Sequence, residues 1–194
     1  MYRRDKKEDF YTKLSKKEGY PARSVYKLQE IDEKYKIIKK GDKVLDLGSA
    51  PGSWLIYVSK KIGDKGKVIG VDLKDIENIN RKNISFIKKN IFELNSSDFK
   101  GKFQVVLSDL APKTCGLKFI DSGKSLELSE KALEIVRLCL ILKGNFVCKI
   151  FEGESSQDFF EKIKKYFDFV KRFRTKASNK ESKEFYIIAR GFKY

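Results

Sequence analysis

The chain has 194 residues, enough for one domain with a substantial core, and sets 43 lysines and arginines against 27 acids, a formal charge of +16. It contains no histidine, which excludes histidine acid–base chemistry and histidine-ligated zinc. Its three cysteines, Cys115, Cys139 and Cys148, lack CxxC spacing, and no apolar run approaches the roughly 18 residues of a membrane span, so a disulfide framework and a spanning helix are both excluded.

The charge points to a polyanionic partner; the rival reading is a lysine-rich surface that only solvates the chain. Residues 1–19 form a basic arm with Lys6, Lys7, Lys13, Lys16 and Lys17, either helical along Phe10, Tyr11 and Leu14 or disordered. Asp5, Glu8 and Asp9 make it a poor organellar presequence. The domain proper is expected over residues 20–194. Ser24 can cap a helix through Val25, Leu28, Ile31 and Tyr35, an i, i+3, i+4 pattern.

The centre of the chain is Val44-Leu-Asp-Leu-Gly-Ser-Ala-Pro-Gly-Ser-Trp54. Val44, Leu45 and Leu47 read as a buried parallel strand, Gly48 to Gly52 as a turn, and Ser53 as the cap of the next helix. Such a unit aims backbone N–H groups at a ligand beyond the strand's carboxyl end. Its spacing is not GxGxxG, which disfavours a dinucleotide. Val68 to Val71 is a second strand. Asp72 at its tip, about 20 residues past the turn, is placed to accept from ribose hydroxyls.

Ile84 to Ile87 reads as the third strand, ending near Asn90, and Phe103 to Asp109 as a central fourth, with Asp109 opening into the crevice where open α/β sheets bind ligands. Lys113–Lys124 is a substrate loop or a long connection. A helix is expected over Ser125–Leu142, stopped by Lys143-Gly144, and then a strand over Gly144–Phe151. Lys149 interrupts that apolar strand and is costly there unless paired or functional. Ser155 or Ser156 caps a helix through Phe159 and Ile163. Phe169–Phe173 and Glu184–Arg190 are the last strands, close enough for a hairpin, with the cations of 171–183 between them.

DLGSAPGSW followed by VIGVDL resembles the FtsJ/RrmJ-type ribosomal RNA 2′-O-methyltransferases, and the likeness runs from about Tyr20 to Gly191. It implies a Rossmann-like, doubly wound α/β sheet of seven mostly parallel strands with an antiparallel C-terminal hairpin strand. It implies S-adenosyl-L-methionine as cofactor, held by Gly48, Ser49, Pro51, Gly52, Trp54, Asp72, Asn90 and Asp109. The family places an acid near the adenine amine; this chain has the uncharged Asn90, which can accept only through its carbonyl. Lys27, within RSxxKL, together with Asp109, Lys149 and Glu184 matches the family's catalytic set.

On this likeness Lys149 removes the hydroxyl proton, Lys27 stabilises the alkoxide, and Asp109 and Glu184 orient them. A lysine must lose its proton to act as a base, which a neighbouring cation and burial both favour. The partner is RNA, a ribosomal RNA or large ribosomal subunit particle, met by Arg23, Lys113, Lys171, Arg172, Arg174 and Lys176. No metal is expected, nor a membrane. The protein is expected to be a monomer in a reducing intracellular compartment. Transfer RNA 2′-O-methylation, a non-catalytic RNA-binding module and an NAD-dependent dehydrogenase are the alternatives.

Overall fold

The computed structural model describes residues 10–76, 79–99, 101–178 and 182–194. Along these residues α1 (Phe10–Lys17) and α2 (Val25–Tyr35) precede β1 (Lys43–Leu47), α3 (Ser53–Ile62), β2 (Lys67–Asp72), β3 (Ile84–Lys88) and β4 (Phe103–Ser108). Then come α4 (Lys118–Cys139), β5 (Leu140–Phe151), α5 (Ser156–Lys164), β6 (Phe167–Phe173) and β7 (Glu184–Phe192). The strands form one sheet in the order β3-β2-β1-β4-β5-β7-β6. β1 to β5 run parallel, and β7 enters between β5 and β6, antiparallel to both. The sheet matches the seven-stranded, mostly parallel architecture read from the sequence.

Successive residues of a strand face opposite sides, so the apolar runs supply two cores at once. Val44, Val68, Val105, Leu107 and Val147 pack under Leu28 and Ile31 of α2 and Leu55 and Val58 of α3. Leu45, Leu47, Ile69, Val106 and Phe146 pack under Leu133 and Val136 of α4 and Phe159 of α5. Strand order reverses between β1 and β4, which opens a crevice at their carboxyl ends. α1 is docked: Tyr11 and Leu14 pack against Tyr20, Val25, Tyr26 and Ala177.

Two expectations are corrected. The long helix is Lys118–Cys139 rather than Ser125–Leu142, and the second half of the Lys113–Lys124 connection belongs to it. β5 starts at Leu140. Its pairing with β4 slips between Phe103↔Leu140 and Val105↔Asn145, and Lys143 there has φ 61°. Lys143-Gly144 is thus an irregularity inside a strand, because a bulge and a helix stop use the same residue types.

The expected serine caps are the second correction. Ser24 and Ser155 make no side-chain cap bond, and Gly52 rather than Ser53 caps α3. Ser53 Oγ instead accepts from Ala22 N at 2.7 Å, and Trp54 Nε1 donates to Ser24 O at 2.8 Å. The two bonds fasten the start of α2 to the start of α3.

Candidate active site

Beyond β1 the chain turns at Gly48, with φ 79°, where an added Cβ would lie 3.0 Å from Leu110 N. Gly48 N and Ser49 N donate to Val71 O at 2.9 and 3.2 Å, locking the turn to β2. Gly52 has φ 102° and no room for a Cβ, which would meet Ile79 Cδ1 at 2.1 Å. Asp72 ends β2: Oδ2 accepts from Ala50 N and Oδ1 from Lys74 N, each at 2.9 Å. Each oxygen keeps a lone pair for a further donor. Asn90 Oδ1 accepts from Phe92 N at 3.1 Å, and its Nδ2 has no partner among the described residues.

Gly48, Asp72 and Asn90 line a cleft of about 500 Å³ that runs along the carboxyl ends of the strands from Asp109 past Gly48 and Asp72 to Asn90. Leu73, Phe92 and Pro112 give it apolar walls, and Lys113 stands at its rim. An extended molecule with a polar end, a ribose and a flat base fits this order of groups. Ser49, Pro51, Gly52 and Trp54 do not line it. Ser49 Oγ is buried without a partner, Pro51 is exposed, and Gly52 packs on Ile79. Trp54 is buried with its ring centroid 6.1 Å from that of Tyr186.

At the Asp109 end four elements converge. Lys149, 6% exposed on β5, lies 3.1 Å from Asp109 Oδ1 and donates to Asp109 O at 2.6 Å. Tyr186 Oη donates to the same Oδ1 at 2.8 Å. Lys27, from α2, forms a second ion pair with Glu184 of β7, and Ser178 Oγ donates to Glu184 Oε1 at 2.7 Å. Lys27 Nζ sits 6.0 Å from the centroid of the Tyr186 ring. The antiparallel register explains the meeting: Lys149 pairs with Tyr186 and Phe151 with Glu184, so Lys149, Tyr186 and Glu184 share one face. Lys27, Asp109, Lys149 and Glu184 are therefore brought together, as two ion pairs linked through Tyr186.

Two residues at this end escaped the sequence reading. Tyr186 looked like one more aromatic in an apolar strand. Asp46 sits inside the apolar run of β1, fully buried, with neither carboxylate oxygen partnered. Burial, and then the fields of Asp109 and Asp72, raise its carboxyl well above the usual range. Its signal was available: an acid between Leu45 and Leu47 in a central strand needs a reason.

The expected RNA contacts divide. Lys113, Lys171, Arg174 and Lys176 are exposed. Arg23 donates to Ala177 O and lies over the Tyr11 ring. Arg172 is held between the Phe160 and Phe185 rings and donates to Gln157 Oε1 at 2.6 Å. Arg174 also donates to Ser182 O. α1 and the start of α2 pack with Ala177, and Ser178 beside it bonds Glu184; Lys13, Lys16 and Lys17 of α1 and Lys176 are exposed, while Lys6, Lys7 and Lys180 lie outside the described residues. Among the described residues no cluster of three or more metal-ligating side chains occurs. None of the described helices is long and apolar enough to cross a membrane.

Residues 20–192 match the FtsJ-like methyltransferase family. A protein of Desulfatibacillum aliphaticivorans named ribosomal RNA large subunit methyltransferase E is 47% identical over 93% of this chain and 88% of its own. One of the same name from Nitratidesulfovibrio vulgaris is 42% identical over 97% and 95%. A Plasmodium falciparum structure described as a ribosomal RNA methyltransferase superposes with a TM-score of 0.79 at 27% identity, over 89% of this chain and 98% of that one. Aeropyrum pernix fibrillarin, solved with S-adenosyl-L-methionine, has a TM-score of 0.58 at 17% identity over 79% and 68%, a likeness of fold alone. With the matched segment covering the cleft and all four converging side chains, the chain belongs to the FtsJ-like methyltransferase family.

Proposed function

We propose that this protein transfers a methyl group from S-adenosyl-L-methionine to a ribose 2′-hydroxyl of large-subunit ribosomal RNA. The observation that carries the reading is the junction of the cleft with the Lys149–Asp109 and Lys27–Glu184 pairs. The cofactor, when bound, supplies an electrophilic sulfonium methyl. Asp72 has the free lone pairs to accept from ribose hydroxyls, and Gly48 lets the backbone approach. Leu73 and Phe92 cover the base end.

The protein's own work is to position the hydroxyl, take its proton and stabilise the alkoxide that results. Lys149, at the crevice floor, receives the proton. Asp109 holds Lys149 and is itself held by Tyr186. Lys27 offers its charge to the developing alkoxide, and Glu184 fixes Lys27 at the end of α2's reach. The two lysines and two carboxylates act as one coupled set.

Residues 1–19 together with residues 171–183 serve as the RNA grip, and the enzyme works as a monomer in a reducing intracellular compartment. Mapping ribose methylation across ribosomal and transfer RNA, with and without the protein, tests the reading. Loss of one large-subunit methyl group is expected. A change confined to transfer RNA would move the assignment to that substrate.

A further inference from the structure

The first turn of α4 stands beside the carboxyl end of β5 and, with the residue before it, carries an exposed apolar cluster. Leu117, Phe119 and Ile120 are 60%, 79% and 41% exposed. The turn is held in place: Asp121 accepts from Cys115 N at 2.8 Å and from Gly116 N at 3.1 Å, which folds the preceding residues onto the helix start. Phe119 borders a small hollow of about 120 Å³ with Ile150, Phe151 and Gly153. Across Ser122 and Phe151 this hollow adjoins a trough of about 300 Å³ that passes Thr114, Lys118 and Lys183.

The trough adjoins the catalytic end of the crevice. Phe151, in its wall, pairs in register with Glu184, the partner of Lys27. Lys113, Lys118, Lys124 and Lys183 are exposed around it. Of the acids lining the hollow and the trough, Asp121 is engaged by backbone N–H groups, Glu152 lies 3.8 Å from Arg172, and Glu154 is exposed where it borders the hollow beside Gly153, leaving the trough's cations in excess. An exposed aromatic ring near cations, of which Lys118 and Lys183 make no ion pair among the described residues, is the two-part surface that single-stranded nucleic acid favours, with the ring taking a base and the cations taking phosphates. Phe119 is not part of the cofactor cleft, whose apolar walls are Leu73, Phe92 and Pro112.

We infer that the hollow and the adjoining trough form an RNA subsite in which an unpaired nucleobase neighbouring the target nucleotide stacks on Phe119 at the hollow, while Lys118 and Lys183 in the trough hold the flanking phosphates. The inference rests on the RNA reading of the active site and adds where the strand leaves it. A ribose placed at Lys149 has its neighbours within reach of the trough, because β5 carries both Lys149 and Phe151.

The test uses the full chain, S-adenosyl-L-methionine for turnover and S-adenosylhomocysteine for binding, and large-subunit ribosomal RNA or particles from cells lacking this methylation. Phe119→Ala should raise the KM for RNA about five- to hundredfold, the range of one lost base–aromatic stack. Affinity for S-adenosylhomocysteine should stay within about twofold, as expected for a group outside the cleft. Phe119→Trp should restore the KM, and its fluorescence should be quenched on adding RNA. Trp54, the one native tryptophan, is buried and gives a constant background. An unchanged KM in Phe119→Ala overturns the subsite. So does a loss of S-adenosylhomocysteine affinity, which would make Phe119 a cofactor lid. Wild-type protein that binds S-adenosylhomocysteine but methylates no ribosomal RNA would remove the RNA reading itself, and the subsite with it.

Discussion

Lys149 is tolerated in a buried strand because Asp109 meets its ammonium twice, through Oδ1 and the main-chain oxygen. The same contact sets the amine beside Asp109, which lines the crevice, where the proposed reaction needs a proton acceptor. Lys149→Ala is expected to lower kcat by about 10²–10⁴-fold with little change in S-adenosylhomocysteine affinity. Lys149→Arg should fail as well, because a guanidinium does not deprotonate in proteins. An arginine variant turning over near the wild-type rate would leave Lys149 only a charge-stabilising role. Asn90 offers a second case. Its Oδ1 accepts from Phe92 N and keeps one lone pair, while its Nδ2 has no partner among the described residues. Asn90→Asp keeps that cap and adds an acceptor for the adenine amine. It should tighten S-adenosylhomocysteine by on the order of 1 kcal/mol in calorimetry. Weaker binding would place the amine elsewhere.

At the scale of elements, α2 matters because it carries Lys27 to a site built by strands. Its position depends on two bonds, Trp54 Nε1 to Ser24 O and Ala22 N to Ser53 Oγ. We therefore expect Trp54 to act on the reaction through α2 rather than through the cofactor. Trp54→Phe removes one bond and keeps most of the buried ring area. Melting should show a loss of about 1 kcal/mol. Turnover should fall while S-adenosylhomocysteine affinity holds. A selective loss of cofactor affinity would return Trp54 to the cleft. The β5–β7 pairing is the other decisive junction, since a shift of one residue would turn Tyr186 and Glu184 together away from the face of Lys149.

For the whole molecule, charge and buried acid set the response to solution conditions. The exposed cations of α1 and of residues 171–176 predict RNA affinity that falls steeply and log-linearly with salt, measurable by filter binding. A flat dependence would make the +16 charge a solvating bias. Asp46 makes stability depend on pH. Its folded-state pKa is raised above the unfolded value of about 3.9, so between the two the native state holds a proton that the unfolded chain releases. Stability is fully present below the unfolded value and is lost as pH rises toward the folded one, by at most about 1.4 kcal/mol per unit. Asp46→Asn should flatten that slope in urea titrations across pH 4 to 8. Parallel curves for the two proteins would mean that Asp46 is ionised in the folded state.

Strand identity, the glycine turn and the acids at strand tips were legible in the sequence, because each is a local requirement. An apolar run must be buried, a positive-φ turn needs glycine, and an acid after a strand ends at the crevice. Lys149 was legible for the same reason, as a charge in a strand that has no place for one. The resemblance supplied Lys27 and Glu184, which no local pattern distinguishes from other surface charges. Tertiary structure alone decided what those residues meet. β7 inserted antiparallel beside β5 sets Tyr186 between the two ion pairs and Glu184 against Lys27. It also decided that Lys143-Gly144 bends a strand, that Trp54 staples α2, and that Phe119 stands out beside the carboxyl end of β5. These are contacts between residues far apart in the chain, and side-chain periodicity carries information only about the face a residue occupies, not about the neighbour that face will find.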